Sequence, residues 1–176
     1  RLFRVRFLLT DMEYEKKSIK NLSPSNISSI IEGLGEKRHR KSQLFNWLYK
    51  KCVQGFSEMT NMPSEFRKTL DGSFYISRLK PAGSESSGED GSEKFILECV
   101  DGFQIETVLM DFDKHKTICV SSQIGCPLRC SFCNTGRIGF ERNLRTDEIL
   151  DQIIFFKINR IEPRTRFNIV FMGMGE

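Results

Sequence analysis

Between Gly125 and Cys133 the sequence reads Gly-Cys-Pro-Leu-Arg-Cys-Ser-Phe-Cys, and no other stretch restricts the fold as severely. Three thiols, separated by three and then two residues, sit on a segment marked by Gly125 and Pro127, so a loop can wrap them around one inorganic centre. A closed structural zinc site calls for four ligands, commonly as two paired half-sites. A fourth protein ligand is missing locally, since the nearest other cysteine, Cys119, lies seven residues upstream. Three readings remain open: zinc, a set of merely buried thiols, and a [4Fe–4S] cluster held by three thiolates with one iron left for a small molecule. A segment that can become helical follows directly.

The rest of the chain sets the context for that loop. Its 176 residues suffice for one medium domain, or one small domain plus part of another. Hydrophobic residues make up 39% and charged residues 28%, a globular balance with enough apolar material for a core. No apolar run approaches the roughly 18–20 residues of a membrane span, so no membrane partner is expected. Three of the six cysteines crowd into eight positions and the others are scattered, which is no disulfide framework and fits a reducing compartment. Residues 1–10 hold three Arg and no acid. That start reads either as the end of an organelle transit peptide, placing the protein in a chloroplast or mitochondrion, or as an arbitrary point in a longer cytoplasmic chain. Charge is unevenly spread: residues 1–75 carry 14 Lys and Arg against 8 acids, and residues 76–176 carry 13 against 15. A basic amino-terminal segment suits RNA or DNA binding, and equally a solvated helical surface.

Taken in order, residues 1–20 read as an unassigned tail and residues 21–75 as a small helical domain. Ser23 and Pro24 open a helix with Ile27, Ile30, Ile31 and Leu34 on one face, ended by Gly33 and Gly35. Lys37–Lys51 reads as a second helix with a basic first turn, Lys37 to Lys41. A third starts at Ser64 and stops at Gly72. Trp47 is expected in the core of this bundle rather than as a base-stacking platform. Residues 76–115 read as a β-rich connector with strands at Phe74–Leu79, Glu93–Val100 and Gln104–Met110, and with a mobile Ser/Gly/acid-rich loop at 81–92. Asp101-Gly102 marks a hairpin. Thr117–Ser122 is a strand that delivers the chain into the cysteine loop. After it come a helix from Thr146 to about Arg160, then an apolar strand, Phe167–Met172, and Gly173-Met174-Gly175-Glu176. Strand, loop, helix and strand form one βαβ unit, with both loops at the carboxyl ends of the strands, where parallel barrels build their sites.

The chain resembles the radical S-adenosylmethionine (SAM) RNA adenine-C2 methyltransferases. The likeness is carried by Cys119-Val-Ser-Ser-Gln-Ile-Gly-Cys126-Pro-Leu-Arg-Cys130-Ser-Phe132-Cys133, Gly139-Phe140-x-Arg142-Asn143-Leu144 and Phe171-Met-Gly-Met-Gly-Glu176. Upstream, Leu34-Gly35-Glu36-x5-Gln43-Leu-Phe-x-Trp47-Leu-Tyr-Lys50, Phe56-x2-Met59-Thr-Asn61 and Ile105-Glu106-Thr107-Val108-Leu109-Met110 are similar to the same family. Only about the first 20 residues and the 81–92 segment stand outside it. The resemblance implies an α/β fold in which a helical RNA-binding domain and a short β segment precede the start of a partial (βα)6 radical-SAM barrel at residues 116–176.

It implies roles as well. Cys126, Cys130 and Cys133 would ligate a [4Fe–4S] cluster whose open iron takes the amino and carboxylate groups of SAM. Phe132, Gly175 and Glu176 would contact SAM, and an acidic side chain suits its ammonium. The family moves a methyl group to a cysteine and abstracts one of its hydrogens with a 5′-deoxyadenosyl radical. The resulting carbon radical adds to C2 of an adenosine in large-subunit rRNA and, in many bacteria, tRNA. Glu106 matches the proton acceptor, for which a carboxylate with a burial-raised pKa is eligible, and Cys119 matches a thiol that helps resolve the covalent RNA intermediate. Flavodoxin or ferredoxin is the expected electron donor. A C8-methylating relative and a non-catalytic RNA-binding protein with a relic metal loop are the alternatives. The methyl-carrying cysteine and about four further βα units of some 30 residues would lie beyond Glu176. A chain of this length is thus expected to be poorly soluble and not to methylate RNA.

Overall fold

In the computed structural model, which describes residues 16–88, 90–112 and 115–175, Ser23 opens the first helix as its neighbours predict. Its hydroxyl accepts the Asn26 amide at 3.1 Å, Pro24 occupies the first position, and α1 runs Pro24–Gly33 with Ile27 and Ile31 buried. Leu34, expected on that face, is exposed just past the helix end. The second helix is shorter than its sequence suggests. Lys37, Arg38 and His39 form a turn, and α2 spans Arg40–Phe45. Four cations would otherwise crowd a helix amino terminus, where the dipole disfavours them. After α2 the coil widens at Asn46–Lys50, where the Lys51 amide reaches back five residues to Asn46 O at 2.9 Å. The third helix, α3, covers Ser64–Ser73, one residue beyond Gly72.

The chain divides into two compact units between Ser77 and Arg78. In the first, Ile19, Ile27, Leu44, Leu48, Phe56 and Leu70 share one core. Trp47 belongs to that core: its indole N–H donates to Asn61 Oδ1 at 2.6 Å, and the Lys51 ammonium lies 3.5 Å from the ring centroid. The expected tail is partly absorbed. β1 (Lys17–Ser18) pairs in parallel with β2 (Phe74–Tyr75), Ile19 is fully buried, and Lys20 Nζ donates to Ser77 O at 2.6 Å. β2 is therefore a short stitch inside the helical unit, not the Phe74–Leu79 strand expected. The reading of residues 1–10 as a transit remnant falls outside the described residues.

The second unit is built on one five-stranded sheet in the order β3-β4-β5-β6-β9, which merges the connector and the start of the barrel expected as separate segments. Its strands are β3 (Lys80–Ser86), β4 (Glu93–Glu98), β5 (Gln104–Phe112), β6 (His115–Cys119) and, last in sequence, β9 (Phe167–Val170). Half of the segment expected as a mobile loop, residues 81–86, belongs to β3, paired antiparallel with β4 from Lys80↔Glu98 to Ser86↔Glu93. Backbone pairing at a sheet edge asks little of the side chains, and a polar edge resists further pairing. The Asp101-Gly102 hairpin forms as read, with the Cys99 amide on Phe103 O at 2.8 Å. β3 to β6 are antiparallel, whereas β9 lies parallel to β6 with Lys116↔Phe167 and Cys119↔Val170 in register. That parallel pair and the helix α5 (Thr146–Asn159) between its strands make the βαβ unit. The last strand ends at Val170, two residues short of Met172.

Residue alternation assigns the faces. Phe95, Leu97, Ile105, Leu109 and Ile118 share the face covered by α5, and Phe95 meets Phe155 and Phe156 edge-on at 5.1 and 5.5 Å. Lys94, Ile96, Glu106, Val108, Cys119 and Val170 share the other face. No helix among the described residues is long and apolar enough to cross a membrane.

Candidate cluster and cofactor site

The cysteine loop is mounted on a stem. β7 (Gln123–Gly125) enters it and β8 (Phe140–Asn143) leaves it, paired antiparallel with Gln123↔Asn143 and Ile124↔Arg142. Gly125 closes the stem. Its φ is +72°, and a Cβ there would stand 1.7 Å from Gly139 O, the oxygen that accepts the Cys126 amide at 2.9 Å. Only glycine allows that approach. Beyond it the chain turns through Arg129, at φ +50°, and the Cys133 amide returns to Cys130 O at 3.1 Å. A short helix, α4 (Asn134–Ile138), follows Cys133.

This arrangement suits a multi-atom centre. All three thiols are free of disulfides; Cys126 is buried, and Cys130 and Cys133 are half-buried. A single zinc ion with bonds of about 2.3 Å would draw its sulfurs to within about 4 Å of one another. A cluster instead presents separate irons to separate thiolates, so three ligands on one loop suffice for it. Arg129, Cys130, Ser131, Gly136, Arg137 and Gly139 line an open depression of about 520 Å³ beside the loop. Two guanidinium groups there offset the negative charge that three thiolates would bring. Phe132 projects into solvent with 89% of its surface exposed.

The second loop lies alongside the first. Ser122 and Gln123 amides both donate to Met174 O, at 2.9 and 3.1 Å, and the Gly173 amide donates to Val120 O. Gly175 has φ +106°, and a Cβ on it would meet Gln123 Cβ and Cγ and Ser122 Oγ within 2.7 Å. Glu176 lies outside the described residues. Ser121, wholly buried, ties the two segments: its hydroxyl donates to Glu106 O at 2.6 Å and accepts the Met174 amide at 2.8 Å. Gln152 of α5 clamps the Ser121 backbone from both sides, accepting its N–H at 2.8 Å and donating to its C=O at 3.0 Å. Neither residue stood out in the sequence. The signal was there, in a glutamine at a helix position otherwise facing the core.

Glu106 and Cys119 stand on one face of the sheet as diagonal neighbours across β5 and β6, a relation that spans about 7–8 Å. Cys119 is buried, which pushes its thiol above the ordinary range, although the Met172 backbone opposes this with a hydrogen bond. Glu106 is half-exposed, with Lys94 Nζ 4.0 Å from its carboxylate, so the burial expected of it is absent here.

Residues 17–76 match the family model described as the ribosomal RNA large subunit methyltransferase N-terminal domain. The chain is 41% identical over 162 residues to a protein of Geotalea uraniireducens named dual-specificity RNA methyltransferase RlmN, which covers 92% of this chain and 46% of that one. The chain is similar to RlmN proteins over nine-tenths of its own length. A Thermotoga maritima protein named probable dual-specificity RNA methyltransferase RlmN is 41% identical over 160 residues, 91% of this chain and 46% of its own length. Among solved structures, a radical SAM methyltransferase from Sphaerobacter thermophilus superposes with a TM-score of 0.79 at 35% identity, over 91% of this chain and 47% of that one. The chain thus spans about half the length of the RlmN proteins it matches.

Proposed function

We propose that this chain supplies the RNA-docking domain and the cluster- and SAM-binding segments of a radical SAM methyltransferase that modifies C2 of adenosine in large-subunit rRNA and in tRNA. The observation that carries the reading is the three-thiol loop, held by a glycine-closed stem at the carboxyl end of a parallel strand pair, with the Gly173–Gly175 segment hydrogen-bonded beside it. Cys126, Cys130 and Cys133 would hold a [4Fe–4S] cluster, and Phe132, Gly175 and Glu176 would receive SAM. When bound, that pair would supply an electron and a radical able to abstract a hydrogen atom, the hard chemistry that side chains lack. The protein's own part is orientation: Ser121 and Gln152 keep the two loops in register. Glu106 would accept the C2 proton and Cys119 would act in releasing the RNA, both from one face of the sheet. Electrons would come from a flavodoxin or ferredoxin in a reducing compartment, the cytoplasm or an organelle interior. The surface of the amino-terminal unit, basic at Lys37, Arg38 and Lys41, would meet RNA phosphates.

Anaerobic reconstitution tests the reading. Wild-type protein should take up about four irons and absorb broadly near roughly 400 nm. Cys126→Ala, Cys130→Ala and Cys133→Ala should each lose both, while Cys52→Ala, Cys99→Ala and Cys119→Ala keep them. Zinc without iron in the wild type, or loss of iron in Cys119→Ala, overturns it. Mass spectrometry of the modified adenosine separates C2 from C8 methylation.

A further inference from the structure

One ion-pair network in the second unit stands outside the cluster and SAM segments. Arg142, in the return strand β8, forks in two directions. Its Nε and Nη2 donate to Asp101 Oδ2 at 2.9 and 2.5 Å, on the β4–β5 hairpin turn. Its Nη1 and Nη2 donate to Glu148 Oε2 and Oε1, both at 2.8 Å, in the first turn of α5. Glu148 is almost wholly buried; Asp101 and Arg142 side chains are 20% and 26% exposed. Cys99 completes the group, since its sulfur and the two carboxylates lie within 4.8 Å of one another. That spacing could hold a metal ion, but the guanidinium already delivers a cation to both carboxylates, to both oxygens of Glu148 and to Oδ2 of Asp101. Glu148 and Asp101 in turn keep Arg142 charged. The network is a joint, and its three arms come from three elements.

What the joint holds is decided by where β8 leads. Ile124↔Arg142 is a rung of the stem, so the residue forked between hairpin and helix is also the partner of the strand entering the cysteine loop. The stem is also tied by the Cys126 amide on Gly139 O and the Leu144 amide on Ser122 O, both at 2.9 Å, and by Ile124 and Leu144 in the core. Of its side chains, Arg142 alone carries a charged bridge from the stem to both the hairpin and α5. Past the stem, Leu128, Phe132 and Ile138 are exposed, so the loop has little core of its own to hold it. We infer that Arg142 is the positioning residue of the cysteine loop: its fork between Asp101 and Glu148 fixes the stem that brings Cys126 towards Cys130 and Cys133. The iron readout below rests on the cluster reading; the thiol and amide readouts do not.

The stem should loosen without the unit unfolding when Arg142 is removed, because Glu148 keeps Arg145, whose amide donates to it at 2.7 Å and whose guanidinium lies 3.0 Å away. Three variants of the full chain test this: Arg142→Met, Arg142→Lys, which offers a point charge in place of a fork, and Asp101→Asn, which weakens one arm. In metal-free protein, alkylation of Cys126 and amide exchange at Cys126 and Leu144 should accelerate roughly tenfold in Arg142→Met, the scale for losing a partly buried charge-assisted pair. Cys52 in the other unit and Cys119 in the sheet should alkylate at the wild-type rate. After anaerobic reconstitution, iron content and the cluster's EPR signal should fall in the same variant, with Arg142→Lys intermediate. Unchanged Cys126 rates in folded Arg142→Met overturn the inference, as does equal acceleration at Cys119 and Cys126. Should Arg142→Met fail to fold, Asp101→Asn decides by the same rates. A wild type that takes no iron defeats the cluster reading while the alkylation result still stands for or against the joint.

Discussion

The two units of this chain each spend an arginine on internal architecture, and they spend it differently. Arg40 in the helical unit is only 16% exposed and turns inward, with Nε on Glu36 at 3.0 Å and Nη1 on Gln43 Oε1 at 2.8 Å and Asn61 O at 3.4 Å. It welds α2 to the loop that also receives Trp47 and leaves Arg38, 90% exposed, for the surface. Arg142 in the sheet unit instead braces a stem whose loop stays open. The first unit closes its core and offers charge outside; the second covers one sheet face and leaves the other, with Glu106 and Cys119, uncovered by α5. A basic residue is thus read correctly only once its neighbours are known. Within the basic turn Lys37–Lys41, Arg40 is a structural member.

The sharpest way to separate the units is Gly125→Ala. The added carbon would meet Gly139 O at 1.7 Å at a φ of +72°, so backbone must move. A loss of about 3 kcal/mol or more is expected, confined to the second unit. Two-probe thermal unfolding should show the sheet transition falling while Trp47 fluorescence holds. A joint fall would end the claim that the units are independently built.

A smaller effect divides the basic run itself. Arg40→Glu should cost about 2 kcal/mol, because it breaks a largely buried pair and strands Glu36. The double variant Arg38→Glu with Lys41→Glu should cost less, about 1 kcal/mol, since it removes one exposed ion pair and one part-buried hydrogen bond to Ser28. RNA affinity and its salt dependence should drop in the double variant. Equal stability losses in the two would erase the distinction between a weld and a surface.

The gentlest probe is pH. Burial, then the nearby Glu148 and Asp101, push the Cys99 thiol from its ordinary 9.0 up to about 12. The folded pKa lies above the unfolded one, so the protonated thiol stabilises the fold fully below pH 9, and that contribution is lost as pH rises towards 12. Denaturation midpoints of the sheet unit should therefore fall across this window and flatten in Cys99→Ala. An unaltered slope in the variant would trace the fall to other groups.

Much of the plan was legible in the order of residues. Ser23-Pro24, Asp101-Gly102 and the Thr146 helix start act through near neighbours, as capping and turn geometry do, and each stands where local chemistry puts it. Spacing alone brought Cys126, Cys130 and Cys133 onto one loop, and the order of strand, helix and strand brought Gly173–Gly175 to the same end of the sheet. What only the tertiary structure decided involves partners far apart in sequence. Residues 81–86 looked like a loop because they hold no large apolar side chain, and they became part of a strand because β4 offered an edge to pair with. In the first turns of α5, Asp147, Glu148, Asp151 and Gln152 are buried where apolar residues would be expected. Arg142 and Arg145 make the burial of Glu148 and Asp147 tolerable, and the Ser121 backbone does so for Gln152. Periodicity reports which face is inside; only the fold brings the opposite charge from 41 residues away to Arg142.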